Sequence, residues 1–378
     1  MLASTKSNKV ETYVRYQIVK GKWPAGTKVP SDDELSKQLD VSYMTVKTVL
    51  SRLAGEGLLQ RKRRAGTRVS EGVACGNIAV VFRAETLHSL GTDYYRSILN
   101  RTRSLIESNG YRCVLAAGHG DTEEQFRTST PLFNTATIKQ TVGIICFEGN
   151  VHLDFCKEMG LPVVYSTSAI PPEGEHCVFL DYEQMLSQGV SLLQEKNGLE
   201  DFVLITMNQP ENKFNRGYGN SLRNLIHNIP SLPNERIVEL PWGGYSCEDI
   251  YPSFRTWWEG LDKKPRALFF MDDAVCDIAL RVITELKIKV PEELSILTQT
   301  TANRIFHFPV HLTCMEFNST DVCDVTWQTL SDLIDRGDGD KGIKLVKIPA
   351  VLREGDSLGS WGMSKDCEFI KYLKNTME

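Results

Sequence analysis

No run in the 378 residues approaches the roughly 18 uninterrupted apolar residues of a membrane-spanning helix. The opening MLASTKSNKVETYVRYQ contains no apolar stretch of signal-peptide type. These absences set the expectation of a cytoplasmic protein with no membrane partner. Ten cysteines are present, yet none forms a CxxC pair. In a chain long enough to build a large core, scattered cysteines read as buried thiols rather than as disulfides or a zinc site. The seven histidines show no metal-ligand spacing. His307 and His311 stand four apart, but Pro309 between them excludes a regular helix. No GxGxxG follows the first strand of the body, and GxxxxGKS/T and HExxH are missing throughout. The loops that cradle nucleotide phosphates and the helical zinc pair are therefore not written here. The expectation is no cofactor, no metal and no catalytic residue.

What is present is an uneven distribution of charge. The whole chain carries a net −5, which by itself argues against nucleic acid. Residues 1–72, however, hold 14 Lys and Arg against 7 Asp and Glu, a net of +7, and the remainder holds 29 against 41, a net of −12. A small basic head on a large acidic body is the asymmetry expected of a DNA-binding module carried by another domain. The length is too great for one core, so two or three domains are expected.

Within the head, Val10, Tyr13, Val14, Ile18 and Val19 recur at helical spacing, and KWPAGTKVPS follows as a loop with turns at Pro24 and Gly26. Ser31, with Glu34 three residues later, is the signature of a capping box. The helix it opens buries Leu35 and Leu39 and ends at Asp40. Ser42 caps a second helix that turns Val46, Val49, Leu50 and Leu53 inward and Tyr43, Met44, Lys47, Thr48 and Ser51 outward. LLQRKRRAGTRV then reads as a hairpin bearing Arg61, Lys62, Arg63, Arg64 and Arg68 around Ala65-Gly66. Two capped helices and a cationic hairpin form a winged helix-turn-helix, whose second helix enters a major groove while the hairpin meets phosphates. A merely solvated charged hairpin is the plainer alternative.

Residues 8–70 resemble the GntR family of bacterial transcription regulators. The GKWPAGTKVPS loop, the PSxxELxxxLxVSxxTVxxxLxxLxxEGLL run and the closing GTxV carry the likeness. The resemblance implies phosphate contacts from Ser31 and Thr45, base reading from Lys47 and a wing tip at Gly66 and Thr67. Ser42, Tyr43, Arg61, Arg63 and Arg64 complete the candidate DNA-binding set. Asp33, Tyr43 and Lys47 stand where the family usually has arginine. Lysine lacks arginine's two-pronged fork on guanine, so the operator here is expected to differ and DNA affinity to lean on the wing.

SEGVACG (70–76) reads as a short linker. From NIAVVF onward, strands and helices alternate to about residue 350. Strands are expected at 77–82, 111–116, 142–147, 162–166, 177–180, 202–206, 236–240, 266–270, 295–298 and 345–348. Helices are expected at 92–109, 122–139, 152–159, 182–197, 214–228, 248–260, 273–287 and 318–336. This is an α/β body of doubly wound parallel sheets with helices on both faces, and its length fits two lobes. Such sheets bind ligands beyond their C-terminal strand ends, here also between lobes.

The body, residues 76–360, resembles the effector domain of LacI-type repressors and periplasmic sugar-binding proteins. NIAVVF with DYYRSILNRTRSLIESNGYRCVLA, VGIICFEG with LPVVYSTS, RGYGNSLRNL, and RALFFMDDAVCDIALRVITELKIKVPEELSIL carry the likeness. It implies a sugar site that includes Tyr94 and Tyr95, Arg216 spaced from Gly219, Asp273, Tyr245 near a stacking position and Asp181. A polyol needs directional donors and acceptors and an aromatic face, which arginine, aspartate and tyrosine supply. Plainer roles stand beside these: core packing for Tyr94 and Tyr95, a surface ion pair for Arg216, a helix N-cap for Asp273, and helix packing for Trp257 and Trp258. Thr300 departs from the aspartate usual in the family at that place.

The sequence thus reads as residues 1–70, a DNA-binding head; 71–76, a linker; 77–360, a two-lobed effector domain; and 361–378, a C-terminal extension. The function expected is a homodimeric regulator, a repressor, controlled by a small polar ligand, a sugar, in the inter-lobe cleft. A solute receptor whose head contacts protein, or a DNA-binding head fused to an enzyme, are the alternatives.

Overall fold

The computed structural model describes residues 6–19, 22–62, 65–71, 76–84, 93–120, 122–134, 138, 140–149, 151–167, 173–196, 201–208, 225–227, 232, 234–241, 249–302, 304–336 and 342–359. Of the residues singled out above, Arg63, Arg64, Arg216, Gly219, Tyr245 and the segment 361–378 lie outside this set. Among the described residues no helix is long and apolar enough to cross a membrane.

The head is three helices and a hairpin: α1 Lys6–Val19, α2 Asp32–Leu39, α3 Tyr43–Gly55, β1 Leu59–Lys62 and β2 Gly66–Val69. Ser31 accepts a hydrogen bond from the Glu34 amide while the Glu34 carboxylate takes the Ser31 amide, so both orphan donors at the start of α2 are satisfied. Asp40 stops α2 in a left-handed conformation at φ 51°, where a short polar side chain is tolerated better than most. Ser42 caps α3 through the Thr45 amide. The inward residues of all three helices meet in one core: Val10, Val14, Ile18, Leu35, Leu39, Val46, Val49, Leu50 and Leu53, closed by Leu59 and Val69 of the hairpin. Each such side chain contributes about 1.5–3 kcal/mol by leaving water, which outweighs the small net worth of any surface ion pair in the head. β1 and β2 pair antiparallel, with Leu59 opposite Val69 and Arg61 opposite Thr67. The loop before α2 adds a third rung: the Val29 amide donates to Thr67 O and the Val69 amide to Thr27 O, each at 2.9 Å.

Counting the head, the chain forms two compact units, one from residues 1–87, 99–165 and 324–344 and the other from 88–98, 166–323 and 345–378. In the first, β3 Asn77–Arg83, β4 Arg112–Gly118, β5 Thr141–Cys146 and the start of β6 Val163–Thr167 run parallel in the order β4-β3-β5-β6. Every residue of β3 and β5 is buried, as expected of strands covered on both faces. Helix α4, Asp93–Ser108, links β3 to β4; α5, Glu123–Ser129, and α6, Asp154–Glu158, are short.

In the second unit, β7 His176–Leu180 pairs in parallel with β13 Leu345–Ile348. β8 Phe202–Asn208, β9 Ile237–Pro241, β10 Ala267–Phe270, β11 Ser295–Thr301, β12 Thr313–Phe317 and β14 Val351–Arg353 make a sheet of order β14-β12-β11-β10-β8-β9. All its neighbours are parallel except β12 and β14. Helices α7 Tyr182–Ser191, α8 Ile250–Gly260 and α9 Asp273–Glu285 belong to this unit, and α10, Ser319–Arg336, runs from it into the first. Phe254, Trp258 and Phe270 pack together in its core, with Trp257 partly buried against them, so the tryptophan pair is helix packing.

The structure differs from the sequence-based expectation at four places. The helix expected over 122–139 stops at Ser129, because Thr130 precedes Pro131 and a residue before proline is pushed out of helical geometry; Thr130 is extended at φ −96°, ψ 107°. The helix expected over 182–197 passes at Leu192 into a wider π turn, Leu192–Lys196. Two strands were not anticipated. β12 is a continuous buried strand too short to show a period, and β14 is a three-residue antiparallel edge, a common border on an otherwise parallel sheet. Of the ten cysteines, the seven described are free and six of those are buried. Burial pushes the Cys156 thiol up to about 12 and Cys113 to about 11, so neither is a ready nucleophile.

One contact sets how closely helix and sheet approach. A Cβ at Gly189 of α7 would lie 2.5 Å from the Phe269 ring of β10. Gly189→Ala is expected to destabilise the protein by about 1–3 kcal/mol through overpacking, read as a lowered thermal-unfolding midpoint; an unchanged midpoint would show that the ring has room to move.

Candidate nucleic-acid interface and ligand residues

The outer face of α3 is built by its cap and its core. Ser42 Oγ accepts the Thr45 amide at 3.1 Å and lies 2.8 Å from Thr45 Oγ1, which fixes the first turn. Because Val46, Val49, Leu50 and Leu53 are buried, helical geometry leaves Tyr43, Met44, Lys47, Thr48 and Ser51 exposed. The first turn of a helix presents N–H groups without intrahelical partners and a positive dipole end, a fit for phosphate. Lys47 Nζ stands 5.9 Å from the centroid of the Tyr43 ring.

Ser31 is exposed at the start of α2, but its hydroxyl is already engaged. It donates to Glu34 Oε2 at 2.9 Å, and the Ser31 amide donates to the same oxygen at 2.7 Å. These bonds, the amide's first, hold the Glu34 carboxyl below its ordinary range.

Arg61 is the residue whose place the sequence least foreshadowed. Its guanidinium donates to both carboxylate oxygens of Asp32, at 2.9 and 2.6 Å. It also reaches Lys47 O and Ser51 Oγ of α3, each at 3.2 Å. It thereby joins the hairpin to the first turn of α2 and to the middle of α3. Arg68 donates to Gly26 O at 2.9 Å. Lys62 is exposed. At the wing, Gly66 is exposed with φ +86° and its missing Cβ leaves room for Lys28, whereas the Thr67 side chain is only 6 % exposed. On the far side, Glu11 of α1, Arg52 of α3 and its C-cap Glu56 form an ion-pair cluster with Arg15, which occupies the last arginine of α3.

The described candidate ligand residues, Tyr94, Tyr95, Asp181 and Asp273, are each held by local contacts. Tyr94 and Tyr95 occupy the first turn of α4 with rings 5.4 Å apart, edge to face. Asp181 caps α7 by accepting the Gln184 amide at 3.2 Å, and Lys347 Nζ of β13 lies 3.6 Å from its Oδ1.

Asp273 has the most developed surroundings. In the second sheet the chain goes from β8 outward to β9, then returns to place β10 on the other side of β8, so strand order reverses between β8 and β10. Ligands in sheets of this kind bind beyond the C-terminal ends of strands at such a reversal. β10 ends there and leads to Asp272 and Asp273. The N-cap of α9 is Asp272, which accepts the Ala274 and Val275 amides at 2.8 and 3.1 Å. The plainer capping role considered for Asp273 therefore belongs to its neighbour. Asp273 instead accepts from Thr300 Oγ1 at 3.3 Å, with Arg304 Nε at 3.7 Å. Arg304 Nη2 is 3.8 Å from Asp277, and Arg304 Nε is buried with no hydrogen-bond partner. Thr300, the departure noted in the sequence, is thus a donor to Asp273. Arg304 was not anticipated; its one sequence signal is a lone cation ahead of the apolar IFHFPV.

Burial pushes the Asp273 carboxyl up to about 6, the Asp272 carboxylate adds repulsion, and Arg304 only partly offsets both. Asp272, fully enclosed, is raised for the first of these reasons. A folded-state value above the ordinary 3.8 means that the folded protein binds the proton more tightly than the unfolded chain. Stability from this group is therefore present at low pH and is lost as pH rises from about 4 to about 6. Asp273→Asn is expected to remove that dependence. The difference in melting temperature, variant minus wild type, should grow from pH 4 to pH 6 and then level; a constant difference would count against the raised carboxyl.

Comparison with known proteins follows the same division. Residues 6–69 match the family model described as bacterial regulatory proteins, gntR family. Residues 195–358 match a periplasmic binding protein-like domain. The histidine utilization repressor of Pseudomonas aeruginosa is 41% identical over 63 residues, 17% of this chain and 25% of the relative. An arabinose metabolism transcriptional repressor of Halalkalibacterium halodurans is 26% identical over 319 residues, 78% of this chain and 80% of the relative. The chain spans about a fifth to a quarter of the length of the first curated relatives it matches. Among solved structures, a LacI family transcriptional regulator from Enterococcus faecium with bound ribose aligns over 76% of this chain and 100% of its own, at TM-score 0.55 and 16% identity. That identity shows a shared fold. The chain therefore carries a gntR-family regulatory domain at residues 6–69, followed by an α/β body with a periplasmic binding protein-like domain and the fold of LacI-family regulators.

Proposed function

We propose that this protein is a DNA-binding transcription regulator, a repressor, whose hold on its operator is set by a small polar ligand, a sugar, bound in the body. One observation carries the reading: a single chain joins a gntR-family head, with an exposed helix face beside a basic hairpin, to a body of the LacI-regulator fold. The alignment along most of an arabinose metabolism repressor supports both halves at once.

In this reading residues 1–70 bind DNA, 71–76 link, 77–360 hold the effector and 361–378 are an extension. Lys47 and Tyr43 face bases, while Ser42, Thr45 and the hairpin with Arg63, Arg64 and Gly66 line the phosphates. Ser31, Arg61 and Thr67 serve that surface from behind, through the cap, the Asp32 pair and the hairpin core. Tyr94, Tyr95 and Tyr245 offer ring faces to a sugar, Arg216 donates, and Asp181 and Asp273 accept. The body binds and releases its ligand unchanged in the cytoplasm. Two copies place two heads on the half-sites of a palindrome. The ligand switches binding only by favouring one state of the body over another.

Full-length protein titrated into a duplex selected from random DNA is expected to bind with a steep salt dependence. Lys47→Ala should weaken specific binding by about tenfold, within the roughly 1–3 kcal/mol worth of a base contact. A flat salt profile would argue against phosphate contact, and an unaltered affinity for Lys47→Ala would remove α3 from the interface. In a thermal-shift screen against pentoses, hexoses and disaccharides, a true effector raises the midpoint by mass action. That shift should vanish in Arg216→Ala and Asp273→Ala while DNA binding persists; its survival in both would displace the ligand site.

A further inference from the structure

The outer face of α3 lacks the arginine whose rigid fork reads guanine. Tyr43, Met44, Lys47, Thr48 and Ser51 line it, with no arginine, asparagine or glutamine among them. Of the residue types that pair two-fold with guanine or adenine edges the face keeps one, Lys47, which lacks arginine's fixed fork. Among the described residues, the neighbouring arginines are committed inside the head: Arg61 to Asp32, Lys47 O and Ser51, and Arg52 to Glu11 and Glu56. The face's one cation, Lys47, is a point charge drawn toward the Tyr43 ring at 5.9 Å.

What the face offers instead is apolar. Among the described residues of the head, three large apolar side chains are exposed: Tyr16 at 49%, Tyr43 at 42% and Met44 at 62%. Two of the three are adjacent in the first turn of α3, the part of such a helix that reaches deepest toward base edges. The major groove presents one apolar group on its base edges, the C5-methyl of thymine. Met44 is flexible and polarizable, able to cover a methyl group without a fixed geometry.

We propose that α3 reads thymine methyl groups through Met44 and Tyr43, so that thymines rather than guanines define the centre of each operator half-site. This rests on the DNA-binding reading above and names the bases that reading leaves open. Lys47 supplies charge beside the contact, and Arg61 fixes the helix against the hairpin so that the apolar pair faces outward.

The test removes the methyl group and nothing else. Full-length protein selects duplexes from a randomised pool, and each thymine of the selected half-site is then replaced in turn by deoxyuridine, which pairs identically but lacks the methyl. At one or two positions the replacement is expected to weaken binding about fourfold, the worth of one buried methyl. In Met44→Ala that ratio should fall to about one, with binding to unselected DNA and its salt dependence kept. In Tyr43→Arg the selected sequences should gain a guanine. Selected sites that depend on guanine and tolerate deoxyuridine everywhere would overturn the inference, as would an undiminished ratio in Met44→Ala. If no duplex is enriched at all, the DNA-binding reading falls and this inference with it; enrichment without methyl dependence removes only the inference.

Discussion

The paired hydrogen bonds from Arg61 to Asp32 are the constraint on which the geometry of the head depends. The hairpin is four residues a side and contributes only Leu59 and Val69 to the core, too little on its own to fix its angle. The rung to Thr27 and Val29 supplies part of the rest, and Arg61 supplies the direction. One planar guanidinium holds a carboxylate at the start of α2 and a carbonyl and hydroxyl on α3; an exposed pair of this kind is worth about 1 kcal/mol or less, but its fork fixes the angle. The hairpin cannot swing without breaking these bonds. That choice has a consequence for binding, because a cation used as a strut is not free to neutralise a phosphate. Among the described residues, Lys47 on α3 and Lys62 on the hairpin remain exposed. The apolar first turn of α3 becomes the distinguishing feature of the face.

A second constraint governs the body. Where strand order reverses in the β8–β12 sheet, two consecutive carboxyls end β10 in nearly dry surroundings. Asp272 is stabilised by two amides of α9. Asp273 accepts from the Thr300 hydroxyl and the Thr301 backbone, with a guanidinium beyond hydrogen-bond distance. Burial is the largest cause of the rise in both carboxyls. A carboxyl held near 6 accepts hydrogen bonds when ionised and donates one when protonated, so its neighbours meet different chemistry on either side of that value. Thr300 matters here: a carboxylate in its place would add a third negative charge, whereas its hydroxyl donates to the second.

Much of this was legible in the residues. The capping box at Ser31, the cap at Ser42 and the inward set Val46, Val49, Leu50 and Leu53 are short-range patterns, and local patterns survive folding when the core agrees with them. The alternation of buried strands and helices was equally plain, since a strand covered on both faces must be apolar throughout, as β3 and β5 are. Boundaries failed where local rules competed. Thr130 obeyed Pro131 rather than the helical pattern around it. β14 went unseen because three edge residues carry no period.

The sequence by itself determined the two-part plan, the basic head on an acidic body and which face of α3 looks outward, because charge, capping and periodicity act within a few residues. Only the tertiary structure decided what individual polar side chains do. Asp32 and Arg61 are 29 residues apart, and Asp273 and Arg304 are 31 apart; nothing local says that they meet. Arg61 became a strut, Asp272 rather than Asp273 became the cap, and Thr67 turned inward, each because long-range packing fixed which donor reached which acceptor. The cost of leaving a buried polar group unpaired then settled the rest.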